Sequence, residues 1–155
     1  MEYMTKIKTY EHIYVVRNYM GILIKNLIDR STLHDKSKLE SPEVEIFDKY
    51  TSQLRSLIYG SKEYQECLKN MKTALDHHYK FNSHHPEYYN NGINGMTLID
   101  LIEMLCDWMA AVLRHETGDI EKSLKINSKR FNISPQLVEI FKNTINFIEK
   151  EVNDG

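Results

Sequence analysis

Thr97-Leu98-Ile99-Asp100-Leu101-Ile102-Glu103-Met104-Leu105-Cys106-Asp107-Trp108-Met109-Ala110-Ala111-Val112-Leu113 is apolar at nearly every position. A helix that is apolar almost all round sits in the middle of a fold, so this run predicts the central helix of an all-α protein. Thr97 is placed to cap it, and Asp100 at the third helical position completes an acidic capping box. Asp107 lies inside the run, between Cys106 and Trp108. Burying an isolated charge is too costly, so that carboxylate must be paired, hydrogen-bonded or metal-bound. Glu103, one turn earlier, is a second acidic candidate.

Downstream, Arg114, His115 and Glu116 end the helix. A cation near a helix C-terminus has its own electrostatic reason to be there, so His115 reads as structural. Ile120 to Phe131 is a short amphipathic segment. Ser134-Pro135-Gln136-Leu137 opens a last helix with Val138, Ile140, Phe141, Ile145 and Ile148 inward, and Asn153-Asp154-Gly155 frays.

Upstream, residues 80–96 form the one long irregular stretch, carrying His84, His85, Tyr88, Tyr89 and Asn90. Loops that gather such side chains on a rigid scaffold are often functional. Pro86 restricts His85 to an extended backbone. Before the loop, Ser61 caps a helix reaching roughly to Tyr79. Its apolar face is Cys67, Leu68, Met71, Ala74 and Leu75, and the next member of that series is His78. His78 is therefore the inward histidine of the adjacent pair, and His77 falls away from the face.

An earlier helix starts at Ser41-Pro42-Glu43-Val44-Glu45, with Ser41 as N-cap and Pro42 as first helical residue. It carries Val44, Ile46, Phe47, Tyr50, Leu54 and Leu57 and stops near Gly60. The first helix spans about Thr5 to Ile28. His12, Val16, Tyr19, Leu23 and Leu27 share one face of it, with Arg17 and Asn18 beside that face. Ser31 and Thr32 make a short break before His34-Asp35-Lys36-Ser37-Lys38.

Composition bounds the rest. The 155 residues predict one domain, a bundle of about five to six helices over 1–155. A metal-site core covers about 8–116, and C-terminal helices span 120–152. Six Gly and three Pro leave little punctuation for many short strands. The formal net charge of −2 gives no reason to expect general nucleic-acid binding. No apolar run is long enough for a membrane span, and no signal-peptide core opens the chain. Cys67 and Cys106 thus read as reduced core thiols of a cytoplasmic protein.

The main functional signal is an ordered set: His12, His34-Asp35, the histidines of 77–85, then Asp107. Imidazole nitrogens and carboxylate oxygens are a mixed donor set for a divalent metal. This order resembles the HD superfamily of metal-dependent phosphohydrolases, all-helical domains whose separated His, His-Asp doublet and last Asp converge on a metal. Cys106-Asp107-Trp108-Met109-Ala110-Ala111 is similar to the small-Asp-apolar-Ala pattern around the last aspartate of that family. His34-Asp35-Lys36-Ser37-Lys38 matches the His-Asp-x-x-Lys form of its HD-GYP branch. The His-His-Pro-Glu-Tyr-Tyr run also resembles a set of small bacterial and phage proteins that carry no assigned activity.

The resemblance covers roughly residues 8–116. It implies a first metal on His12, His34, Asp35 and Asp107, and a second completed by His78 and His85, with Asp35 bridging. A metal-bound water would be the nucleophile. Lys38 would face the phosphate, with Arg17 helping. One or two ions of Mn, Fe, Co, Ni or Zn suit these donors. The substrate implied is a small-molecule phosphoester, a nucleotide or cyclic nucleotide, which Tyr88, Tyr89 and Asn90 could stack on or hydrogen-bond. Two other functions share these ligands: an HD-fold di-iron oxygenase, and a phage-type binding protein that keeps a structural metal without turnover.

Overall fold

The computed structural model describes residues 2–58, 61–114 and 118–154. The chain is all-α. Its helices are α1 (Glu2–Leu33), α2 (Glu43–Ser56), α3 (Lys62–Asn70), α4 (Lys72–Phe81), α5 (Leu98–Val112), α6 (Ile120–Arg130) and α7 (Pro135–Asp154), with short 3-10 turns at Lys36–Leu39, Pro86–Tyr88 and Gly92–Gly95. No described helix is long and apolar enough to cross a membrane. Gly60 and His115 lie outside the described residues.

The chain divides into two units, Met1–His34 and Asp35–Gly155. The first is one long helix. It does not stop at Ile28, because the residues read as a break bond back into the helix. Ser31 Oγ donates to the Ile28 carbonyl, and Thr32 Oγ1 donates to the carbonyls of Ile28 and Asp29. Apolar residues lie on every side of α1, so Val16, Tyr19 and Leu23 form no exclusive inward face and are exposed.

In the second unit, Leu101, Met104, Leu105 and Trp108 of α5 pack with Leu124, Ile133, Phe141 and Ile145. The Trp108 ring stacks on Phe131 and meets Phe141 edge-on. The α5 capping box forms as its sequence predicts: Asp100 N–H donates to Thr97 Oγ1, and Thr97 N–H donates to Asp100 Oδ2. The helix is central but not enclosed. Ile102 and Cys106, four residues apart on the side away from Met104 and Trp108, are exposed. Cys106 is therefore no core thiol, whereas Cys67 is buried. Ile140 also points outward, while Phe141 and Ile145 carry the inner face of α7. That helix continues through Asn153 and Asp154 rather than fraying there.

Two further boundaries differ from the sequence reading. The helix expected over 61–79 is two helices, α3 and α4. Buried Met71 is the last cap of one and the first of the other, with its N–H held by carbonyls of the preceding turn. Ser61 caps α3 as expected, accepting from Tyr64 N–H. At α2 the cap is Pro42, not Ser41. The chain enters through a turn in which the N–H groups of Glu43 and Val44 both donate to the Glu40 carbonyl. Glu43 thereby becomes the first helical residue, and α2 packs on α4 and on the 36–39 turn.

Candidate metal centre

Asp35 opens the second unit in the left-handed region (φ 56°, ψ 14°). Aspartate tolerates that conformation better than most residues, and such positions concentrate at functional sites. Its side chain is half-buried among histidines. Oδ1 lies 3.2 Å from His78 Nε2 and 3.5 Å from His84 Nε2. Oδ2 accepts from Lys38 Nζ at 2.5 Å. Burial works to raise the Asp35 carboxyl, but the hydrogen bonds to His78 and His84 and the Lys38 charge overcome it. They hold the group far below the usual carboxylate range.

His78 is inward on α4, as the apolar periodicity of that segment predicts, and is 2% exposed. Its Nε2 stands 2.9 Å from His85 Nε2. His84, also 2% exposed, joins them. The His84 and His85 ring centroids are 4.1 Å apart, and those of His78 and His85 are 4.8 Å apart. Asp35, His78, His84 and His85 each offer a ligand atom within 4.8 Å of the others. Burial first, then neighbouring His84 and His78, push the His85 imidazolium down to about 3, against the opposing pull of Asp107 and Asp35. His85 is thus neutral at ordinary pH, the form that binds metal.

The outer nitrogens of the two buried imidazoles face carboxylates. His78 Nδ1 lies 2.9 Å from Glu43 Oε2, and His84 Nδ1 lies 3.1 Å from Glu103 Oε1. A carboxylate only accepts, so each Nδ1 can donate to its glutamate, and with a metal bound each Nε2 would turn its lone pair to the ion. Metal-bound histidines characteristically show this outer carboxylate. Glu103 thus stands behind His84.

The loop that carries His84 and His85 is built, not slack. Ser83 Oγ donates to Asp100 Oδ1 at 2.9 Å, so the acid of the α5 capping box also anchors the loop start. Thr97 N–H and its hydroxyl hold the other oxygen of Asp100. Burial tends to raise the Asp100 carboxyl, but these hydrogen bonds outweigh it and lower it. Gly92 takes a left-handed backbone (φ +56°), and a Cβ on Gly95 would come within 2.9 Å of the Tyr89 Cβ. Tyr79, whose ring meets His85 at 4.9 Å, lines a surface depression with Lys80, Tyr88 and Arg130.

The expected site residues thus divide. The second unit brings together Asp35, His78 and His85 and adds His84. Asp107 is half-buried on α5, close enough for its charge to act on His85. Lys38 is drawn to Asp35 and lies over the Phe47 ring. His12 and Arg17 are exposed residues of α1, and half-buried His34 ends the first unit. Two residues were missed. Glu43 looks in sequence like an ordinary first-turn acid, yet it is fully buried. Asn82 donates to Ser37 Oγ at 2.8 Å and to the His78 carbonyl at 2.8 Å.

A family model described as a family of unknown function (DUF5662) matches residues 1–148. No curated protein and no solved structure matches the chain.

Proposed function

We propose that the chain, which belongs to the DUF5662 family, is a metal-dependent phosphohydrolase acting on a small phosphoester. The observation that carries this reading is the convergence of Asp35, His78, His84 and His85 within 4.8 Å, with carboxylates behind His78 and His84. The donor set is three imidazoles and one carboxylate, which fits Mn, Fe, Co, Ni or Zn. Four protein ligands would fill a tetrahedral ion but leave two positions on an octahedral one. Asp35, His78, His84 and His85 would hold the ion, and a metal that accepts more than four ligands would have room for a water and substrate.

A bound ion of this kind supplies an acidified water and polarises the phosphoryl oxygen. The chain's own residues do the rest. Glu43 and Glu103 keep two imidazoles in the binding tautomer. Asp35 stays ionised and contributes the negative charge that draws a cation into the cluster. Lys38, held at Asp35, is a cation beside the cluster where phosphate charge would develop. Tyr79 and Tyr88 border the neighbouring depression and offer aromatic surface to an organic leaving group, with a nucleotide or cyclic nucleotide as the class to test first.

The experiment is elemental analysis of tag-free protein beside Asp35→Ala, with hydrolysis of bis(4-nitrophenyl) phosphate under added Mn, Fe, Co or Zn. Stoichiometric transition metal and metal-dependent hydrolysis, both lost in the variant, are expected. Protein that takes up no metal, and whose stability no added ion changes, would defeat the reading.

A further inference from the structure

Glu43 has no exposed surface, yet it is a carboxylate with three partners. Its Oε2 lies 2.9 Å from His78 Nδ1 and accepts from Ser37 Oγ at 3.1 Å. Its Oε1 lies 2.7 Å from His77 Nδ1. The protons in this cluster can be assigned one by one. Asn82 Nδ2 uses its two hydrogens on the His78 carbonyl and Ser37 Oγ. The Ser37 hydroxyl therefore turns its own hydrogen to Glu43. Three nearby polar atoms surround His78 Nδ1: Glu43 Oε2, Asn82 Nδ2 at 3.1 Å and Ser37 Oγ at 3.2 Å. Asn82 Nδ2 is a donor and the Ser37 hydrogen is committed elsewhere. Glu43 is the strongest acceptor left for the His78 proton.

His77 closes the arrangement from outside. Its side chain is 32% exposed, and its ring rests on Phe81 with centroids 4.6 Å apart. From there it holds the Glu43 oxygen that His78 does not use. The adjacent histidines of α4 therefore share one carboxylate: one faces the cluster and the other braces the brace.

We infer that Glu43 and His77 are positioning residues for the metal ligand His78, with Glu43 fixing its tautomer and ring plane and His77 fixing Glu43. This inference rests on the metal site proposed above. It assigns a role to His77 that excludes it from the ligand set, and it explains why an acid is buried at the start of α2. A glutamine at 43 keeps the shape but brings one acceptor and one donor. Its oxygen can accept from one imidazole N–H only, so the other imidazole must switch tautomer or lose its bond.

The test is Co(II) titration of the full-length protein, followed by the visible d–d bands of the bound ion, with melting of the metal-free forms as a fold control. Glu43→Gln is expected to weaken Co(II) binding by about 10–100-fold, the usual cost of losing an outer partner. It should also shift the bands while leaving the stoichiometry unchanged. His77→Phe, which removes the donor, should weaken binding less, and His77→Gln, which keeps an N–H, should restore most of it. Should Glu43→Gln fail to fold, the two His77 variants carry the same comparison. Unaltered affinity and spectrum in Glu43→Gln or His77→Phe, with the wild type binding Co(II), would overturn the positioning roles alone. A wild type that binds no Co(II) or other transition ion would overturn the metal site itself.

Discussion

His78 and the His84–His85 pair reach one point from unlike backbones. His78 rides a regular helix, and its direction follows from the helical period that also buries Ala74 four residues earlier. His84 and His85 sit on a loop, where no period fixes direction. There the backbone must be pinned contact by contact, by Asp100 at one end, Pro86 in the middle and the close approach at Gly95. The helix arm invests its polar contacts behind the ring, in Glu43, Ser37 and Asn82. The loop arm invests most of them in the backbone and keeps one carboxylate, Glu103, behind His84. The difference implies that the two arms fail in different ways.

The largest contrast is between His78→Ala and His84→Ala. Both should lose stoichiometric metal. His78→Ala also takes one imidazole from a fully buried carboxylate, and breaking such a pair costs about 3–5 kcal/mol when nothing else compensates. His77 and Ser37 remain, so about 2 kcal/mol in metal-free stability is expected, with a smaller loss in His84→Ala. Chemical denaturation of the metal-free proteins measures this. Equal losses would erase the distinction between the arms.

Asp100→Ala should come next, because it removes the α5 capping box and frees Ser83 together. Thr97 Oγ1 still caps the backbone N–H of residue 100, so the loss is that of buried hydrogen bonds to a charged group, about 1.5–3 kcal/mol. A loss of about 2 kcal/mol is expected, with weaker metal binding because the loop ligands loosen. Ser61→Ala removes a cap remote from the loop. It should cost about 1 kcal/mol and leave metal affinity unchanged. If both variants weakened metal equally, the loop anchor would have no special role.

The smallest effect is graded with pH. His85 protonates at 6.5 in an unfolded chain but only near 3 in the folded one. Between those values the unfolded state binds the extra proton, so metal-free stability falls as pH drops from 6.5 toward 3. One such group limits the slope to about 1.4 kcal/mol per pH unit. Asp35 adds a loss of the same sign below its unfolded value of 3.8. Thermal melts across this range should flatten in His85→Gln above about pH 4.

Much of this was legible in the sequence because it is local. The Thr97–Asp100 box and the Ser61 cap are written within four residues, and His78 follows from the apolar face ahead of it. Glu43 was not legible, since its histidine partners lie 34 and 35 positions away and nothing nearby marks it as buried. The 31–32 break failed because serine and threonine also bond back into a helix when no glycine or proline competes. The apolar series through Met71 reads as continuous although the helix axis is interrupted there. The sequence could not separate His84 from His85 as ligands, for a plainer reason. On a loop, neighbouring side chains are not forced to opposite sides, and both can face one point.

The left-handed backbone at Asp35 has a consequence for a mutational scan of this position. Two filters act there independently. Chain geometry admits Gly, Asn and Asp and penalises β-branched residues most. Ligand chemistry admits a carboxylate. A selection for folded protein should therefore retain three residue types at position 35, and a selection for metal-loaded protein only one. Asn and Gly fill the gap between those two lists, which makes them the substitutions that silence the centre while leaving the scaffold intact.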